Sequence, residues 1–310
     1  NFDLDRIDGL PSGQAGVLRA LAEGDATKVE DLYIDKKLSA DEKKQYDKET
    51  TEAGDAATEE LDDSVPPILT TLFASPYILG PRLVDYLYAT DEWKAIDKAL
   101  QDPPTEEVMF DPTVYDTDAA TQTSVSIEAP AGTEVIETDE FGPTAWYLLL
   151  ASRVDEKAAL AAVDGWGGDQ YVVYRQDDTV CMNATVEGDT PEDEAELAKA
   201  LGDWAAKSPK GTAEVTTEGD AVQFHSCDPG KDAKPASNEI TPDVLALPVI
   251  RTDLYTGGIE AKRTPKESAC FANGMIGAFT IDQLQDPQGA YFNSDEGQLL
   301  VQGIQKDCFS

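Results

Sequence analysis

The residue types that carry most catalytic chemistry are scarce in this chain. It holds one histidine, His225, and four cysteines, Cys181, Cys227, Cys270 and Cys308. A hydrolase triad needs a histidine beside a nucleophile and an acid, and a catalytic zinc site commonly takes two histidines. Neither can be built from this chain alone. His225 stands two residues before Cys227 in a stretch that reads as a strand, which makes it a partly buried strand histidine. No two cysteines lie at the CxxC spacing of a zinc ribbon or a thioredoxin-type redox pair. Two cysteines in each of two segments fit two local disulfides, Cys181 with Cys227 and Cys270 with Cys308, although four cysteines allow three pairings. Each such bridge closes a loop of about 40 residues, worth about 3–4 kcal/mol in the chain-entropy model, and implies an oxidising compartment. No GxSxG, P-loop, dinucleotide fingerprint or EF-hand loop occurs. Gly165-Trp166-Gly167-Gly168-Asp169 is glycine-rich but precedes a strand, so it reads as a turn.

A second chemical candidate lies near the front, in Leu21-Ala22-Glu23-Gly24-Asp25-Ala26-Thr27. Leu18, Ala22, Asp25, Val29 and Leu32 follow a helical period, so Asp25 falls on an otherwise apolar face, where an unpaired carboxylate is costly. Gly24 in a helix interior costs up to about 1 kcal/mol relative to alanine. Two adjacent local penalties point to a purpose. Glu23 projects from a different side of the same helix.

The elements that must position these residues divide the chain in two. Residues 1–118 read as helical: one helix over 10–38, a polar surface helix over 40–63, and an apolar segment over 68–88 broken around Pro76 and Gly80-Pro81. Thr90-Asp91-Glu92-Trp93 then caps a short helix ending near Asp102. Residues 119–230 read as α+β. A strand is expected over 124–129, a helical pair over 141–163, a strand over 170–176 with a hairpin partner over 179–186, and a helix through 206. A second hairpin follows, strands 212–217 and 221–226 around Glu218-Gly219-Asp220. The fold class is therefore α+β, an antiparallel sheet covered by helices behind a helical front. A polar linker over 231–240 leads to a small domain, 241–310, of three helices stapled by Cys270 and Cys308.

Net charge is −37, from 61 acids against 24 bases. A surface of that sign repels nucleic-acid phosphates and anionic lipid, and no basic stripe overrides it. No apolar run approaches the ~18 residues of a membrane helix, so direct membrane insertion is not expected. A protein partner in the cell envelope fits both features.

The opening Asn1-Phe2-Asp3-Leu4-Asp5, followed by Leu18-Arg19-Ala20-Leu21-Ala22-Glu23-Gly24-Asp25-Ala26-Thr27, resembles a group of extracytoplasmic zinc metallopeptidases of the gluzincin type from actinobacteria and chloroflexi. Ser75-Pro76-Tyr77, Trp93-Lys94-Ala95-Ile96-Asp97, Asp102-Pro103-Pro104-Thr105-Glu106 and the stretch from Gly165 to Tyr171 carry it further, as scattered motifs over residues 1–230. In that group an HExxH helix immediately precedes the first of these segments. The resemblance implies that Glu23 is a third zinc ligand if such a helix exists upstream, with Asp25 orienting a first-shell histidine. The two histidines and the general-base glutamate have no counterparts in this chain, and Asp111-Pro112 stands where the group tends to carry His-Pro. Zinc is thus expected only with the upstream segment, and no catalytic residue is assigned.

Two functional expectations follow. The chain is the C-terminal portion of a zinc-metallopeptidase-like bacterial envelope protein, catalytically incomplete as it stands. Alternatively it is a non-catalytic extracytoplasmic binding or assembly protein, in one form a lipoprotein, on a peptidase-derived scaffold.

Overall fold

The computed structural model describes residues 7, 9–10, 12–59 (backbone only for 55–59), 65–115, 117, 122–219, 221–231, 233 and 238–309. Asn1 to Asp5, the expected end of the second helix over 60–63, the boundary at 118–119, Asp220 and linker residues 232 and 234–237 lie outside the described residues.

Two long helices, α1 (Ser12–Lys37) and α3 (Pro67–Gln101), form the front of the molecule, with α2 (Ala40–Glu59) running between them in sequence. Ser39 starts α2 as expected, its backbone N–H donating to Glu42 Oε2 at 2.8 Å. The buried α1 face carries Gly13, Val17, Leu18, Ala20, Leu21 and Gly24; of the expected stripe Leu18 is buried, Ala22, Asp25 and Leu32 are half-buried and Val29 is exposed. Glycine decides this. A Cβ on Gly24 would lie 2.4 Å from the Gly80 carbonyl oxygen, and one on Gly80 would lie 2.2 Å from the Ala20 oxygen. Gly80 over Ala20, Val84 over Gly24 and Tyr88 under Lys28 show that α1 and α3 run parallel in backbone contact.

The break expected at Pro76 and Pro81 does not occur, because both prolines sit inside α3. Pro76 withholds an N–H from the Leu72 carbonyl, and Ser75 Oγ donates to that oxygen at 2.7 Å instead. Helical geometry is lost later, at Asp91 and Glu92 (φ 47°), at the joint expected from Thr90 to Trp93.

After 3₁₀ turns at Glu106–Met109 and Pro112–Val114 come β1 (Glu134–Asp139), α4 (Gly142–Ala151), α5 (Glu156–Val163), β2 (Trp166–Gln176), β3 (Thr179–Gly188), α6 (Pro191–Ala206), β4 (Ala213–Glu218) and β5 (Ala221–Cys227). The five strands form one antiparallel sheet in the order β1-β2-β3-β5-β4. α4 and α6 cover one face, where Trp146 and Trp204 stack edge-on against Phe224 of β5. The other face carries a small cluster, Val172, Tyr174 and Cys181, packed by Ile127 and Ala129.

Two strand assignments change. Residues 124–129 form no strand. That segment lies extended across the sheet, with Ile127 N donating to Gln170 Oε1 (3.0 Å) and Thr123 N to Gly167 O (2.6 Å). The glycine-rich stretch at 165–169 is not merely a turn: only Gly165 has positive φ (68°), and β2 begins at Trp166. A Cβ on Gly168 would lie 2.4 Å from Thr123 O, so glycine there admits the crossing segment. β1, unforeseen in the sequence, is an exposed edge strand bearing Glu134, Glu137 and Asp139.

A 3₁₀ turn, Pro242–Leu245, leads to α7 (Ala246–Glu260), α8 (Pro265–Ala278), α9 (Ile281–Gln285) and α10 (Asp295–Cys308). The second of the expected C-terminal helices is split at Phe279-Thr280, where Thr280 and Gln283 form a new capping box. Disulfides join Cys181 to Cys227 and Cys270 to Cys308. The second staples α10 to α8. α7 belongs to the main core through Leu247 and Tyr255. No helix among the described residues is long and apolar enough to cross a membrane.

Candidate functional site

Glu23, Gly24 and Asp25 occupy one turn of α1. Gly24 is buried and its neighbours are half-buried, so the glycine's purpose is the backbone contact with α3. Burial raises the Asp25 pKa, and the nearby Asp97 carboxylate adds to the rise. Thr27 Oγ1 donates to the Glu23 backbone oxygen at 2.9 Å. Among the described residues Glu23 belongs to no group of three or more histidine, cysteine or carboxylate ligands. Without at least three such ligands the turn does not fit a zinc ion by itself.

The structure instead concentrates buried acids where α1, the 106–109 turn, α4 and β2 meet. Asp169 is buried at the N-terminus of α4. Its Oδ1 accepts from Phe141 N (2.7 Å), and its Oδ2 from Gly142 N (2.9 Å), Trp146 Nε1 (2.9 Å) and Trp166 Nε1 (2.8 Å). Burial pushes its pKa up while these donors pull it down. It is a helix cap, fully committed to its four donors. Glu106 points at the same helix start, accepting from Thr144 N at 3.1 Å. Burial, and more weakly the Glu140 and Asp169 carboxylates, push its pKa to about 7.

Glu107, the next residue, turns beneath Gly165. Its Oε1 accepts from Gly165 N at 3.2 Å and its Oε2 is buried without a partner. Burial first, then the carboxylates of Asp189 and Asp111, push its pKa to about 9. Nearby, Arg251 of α7 is 2% exposed and forks onto Asp164 (Nη2 to Oδ1, 2.7 Å), and also donates to Phe110 O at 3.0 Å. That pair locks the C-terminal helices to the loop after α5. Glu107 is 1% exposed, and with the Arg251–Asp164 pair it ties the 106–109 turn, the loop after α5 and α7 to one another.

The disulfide cysteines are placed as the segment argument paired them. Cys181 and Cys227 are direct register partners of β3 and β5. His225 lies on the same sheet face, half-buried, with Nε2 3.3 Å from Cys227 Sγ and Nδ1 2.7 Å from Asn183 Oδ1. Among the described residues this is the one group of three potential metal ligands, and the sequence reading missed it. The signal for it was present: an alternating His-x-Cys strand puts both side chains on one face.

The molecule is thus an α+β protein built on a five-stranded antiparallel sheet with helices on one face. A family model described as a domain of unknown function (DUF8575) matches residues 115–234, a span containing all five strands. No curated protein and no solved structure matches the chain.

Proposed function

We propose that this chain is the C-terminal portion of a zinc-metallopeptidase-like protein of the bacterial cell exterior, and that by itself it is catalytically incomplete. The turn bearing Glu23 and Asp25 supports the reading. Gly24 anchors it on the α3 backbone, so the two flanking carboxylates are held half-buried on a rigid helix pair rather than on a loop. Two disulfides and the acidic surface favour an extracytoplasmic location.

The test compares the chain alone with a version carrying a two-histidine HExxH helix upstream, by zinc content and peptide hydrolysis. The chain alone is expected to show neither. The extended protein should bind one zinc per chain and lose it on Glu23→Gln. Hydrolysis by the chain alone, or zinc unchanged by Glu23→Gln, sinks the proposal.

One observation favours the second reading, a binding or assembly protein. Leu69, Phe73 and Tyr77 recur every four residues along α3 and are 42%, 70% and 57% exposed. Such a stripe suits a protein partner, and sedimentation of the purified chain with Phe73→Glu tests whether it drives association.

A further inference from the structure

The face of the sheet away from α4 and α6 brings together three soft-metal ligands, buried Cys181 and half-buried His225 and Cys227, that neither the family match nor the peptidase reading uses. Cys181, Cys227 and His225 offer two sulfurs and a ring nitrogen, all within 4.8 Å of one another. Their geometry follows from strand alternation: Cys227 pairs across the ladder with Cys181, and His225, two residues earlier, pairs with Asn183.

Asn183 fixes the imidazole. Tyr174 donates its hydroxyl to Asn183 Oδ1 at 3.2 Å, so that oxygen is an acceptor and takes the His225 Nδ1 proton at 2.7 Å. The remaining nitrogen, Nε2, keeps its lone pair, and that lone pair faces Cys227 Sγ at 3.3 Å. An imidazole whose far nitrogen is tied to an amide, with the near one aimed at sulfur, has the arrangement of a metal-ligating histidine. In a tetrahedral zinc site the sulfur–nitrogen edge is about 3.6 Å and the sulfur–sulfur edge about 3.8 Å. His225 Nε2 already stands near that distance from Cys227 Sγ, and the two sulfurs, now bonded to each other, must separate. A cavity of about 270 Å³ lined by His225, Asn183 and Glu214 opens beside them. Glu214 is exposed and is the register partner of His225 on β4, so water in the fourth position would sit next to a carboxylate.

We propose that Cys181, Cys227 and His225 form a redox-gated site for a soft divalent metal ion of the zinc type, closed while the disulfide is intact and opened by a dithiol reductant. In the opening step a reductant thiolate attacks one sulfur of the bridge, the Cys181–Cys227 bond breaks and a mixed disulfide forms. The second reductant thiol then closes the reductant's own disulfide. Two protein thiols and an oxidised dithiol result, with two electrons and two protons transferred. The metal ion next displaces both thiol protons, forming two metal–sulfur bonds and one bond to His225 Nε2. The Cys270–Cys308 bridge has no such site, because the chain's single histidine is elsewhere.

The test uses the full chain, reduced by a phosphine without air and titrated with Co²⁺, then Zn²⁺. The readouts are thiolate-to-cobalt charge-transfer absorption and far-ultraviolet circular dichroism. The reduced chain should bind one equivalent of cobalt with a charge-transfer band, and the oxidised chain should show no band. His225→Ala should weaken cobalt binding by more than about tenfold, and Asn183→Ala by about 10- to 100-fold. A Cys270→Ser/Cys308→Ser variant should keep the band. Absence of the band in reduced protein, a band indifferent to His225→Ala, or a chain that unfolds on reduction and is not restored by zinc overturns the proposal. So does cobalt held equally by both redox forms without a band, which would be an ion on the acidic surface.

Discussion

A carboxyl group buried with one oxygen unpaired persists only in its neutral form, since the charged form would lack both water and partners. Glu107 is in that position, with a pKa pushed to about 9 mainly by burial. Its folded pKa lies above the unfolded value, so the stability it contributes is complete below about pH 4.5 and is lost as pH rises toward 9. Glu106 adds to the fall over the lower part of that range, its own pKa being pushed to about 7. Glu107→Gln keeps an acceptor for Gly165 N and cannot ionise. Urea unfolding of the two proteins should give similar midpoints near about pH 5, and the variant should lead by several kcal/mol, up to about 5, near about pH 8.5. Equal pH dependence in both proteins would show that Glu107 ionises without cost. Nothing in the sequence singles this residue out. Adjacent glutamates in a chain with 61 acids read as surface, and only the 3₁₀ turn explains how Glu106 and Glu107 both point inward. Asp25 was legible only in part: it lies off the buried face of α1 and is half-buried, and that burial raises its pKa.

In outline α2, α4 to α8 and α10 were legible, the end of α8 excepted, and both hairpins were marked by their turn residues. Where long-range contacts overrule local rules, the sequence misleads. Pro76 and Pro81 remain helical because α1 packs along that stretch of α3 and Ser75 repairs the broken bond. The 124–129 segment alternates like a strand, but the backbone there and at Thr123 is met by Gln170 and Gly167 rather than by a continuous ladder. Gly24 belongs to the same class: its low helix propensity is visible, its reason is not. That reason predicts a contrast between two helical glycines. Alanine at Gly24 must push α3 away from a 2.4 Å contact with backbone, whereas a Cβ at Gly202 in α6 meets nothing within 4 Å. Gly24→Ala should lower stability by about 1–3 kcal/mol and Gly202→Ala raise it by about 0.5–1 kcal/mol. Chemical denaturation at one pH decides. If Gly24→Ala is neutral, the helix pair tolerates separation and cannot be what holds Glu23 in place.

At the scale of the whole molecule the dominant fact is 61 acids against 24 bases, a surplus that no arrangement of ion pairs can neutralise. Most of the pairs among the described residues involve exposed lysines or arginines and contribute little each. Folding therefore crowds like charges that the unfolded chain holds further apart, and the cost depends on screening. Raising sodium chloride from about 0.01 M to about 0.15 M shortens the Debye length from about 30 Å to about 8 Å. The urea midpoint near neutral pH should rise over that range with an unchanged denaturant slope, because the folded surface itself does not change. Choline chloride should act as well as sodium chloride if the effect is screening and not ion binding. Near about pH 4.5, where many carboxylates are half-protonated, the response should shrink. Glu107→Gln should keep the full response at neutral pH, since a neutral Glu107 adds nothing to the surplus. A midpoint indifferent to salt would mean that the acids stand far enough apart on the folded surface to be screened by water alone, and the net charge would then bear on partners and solubility but not on stability.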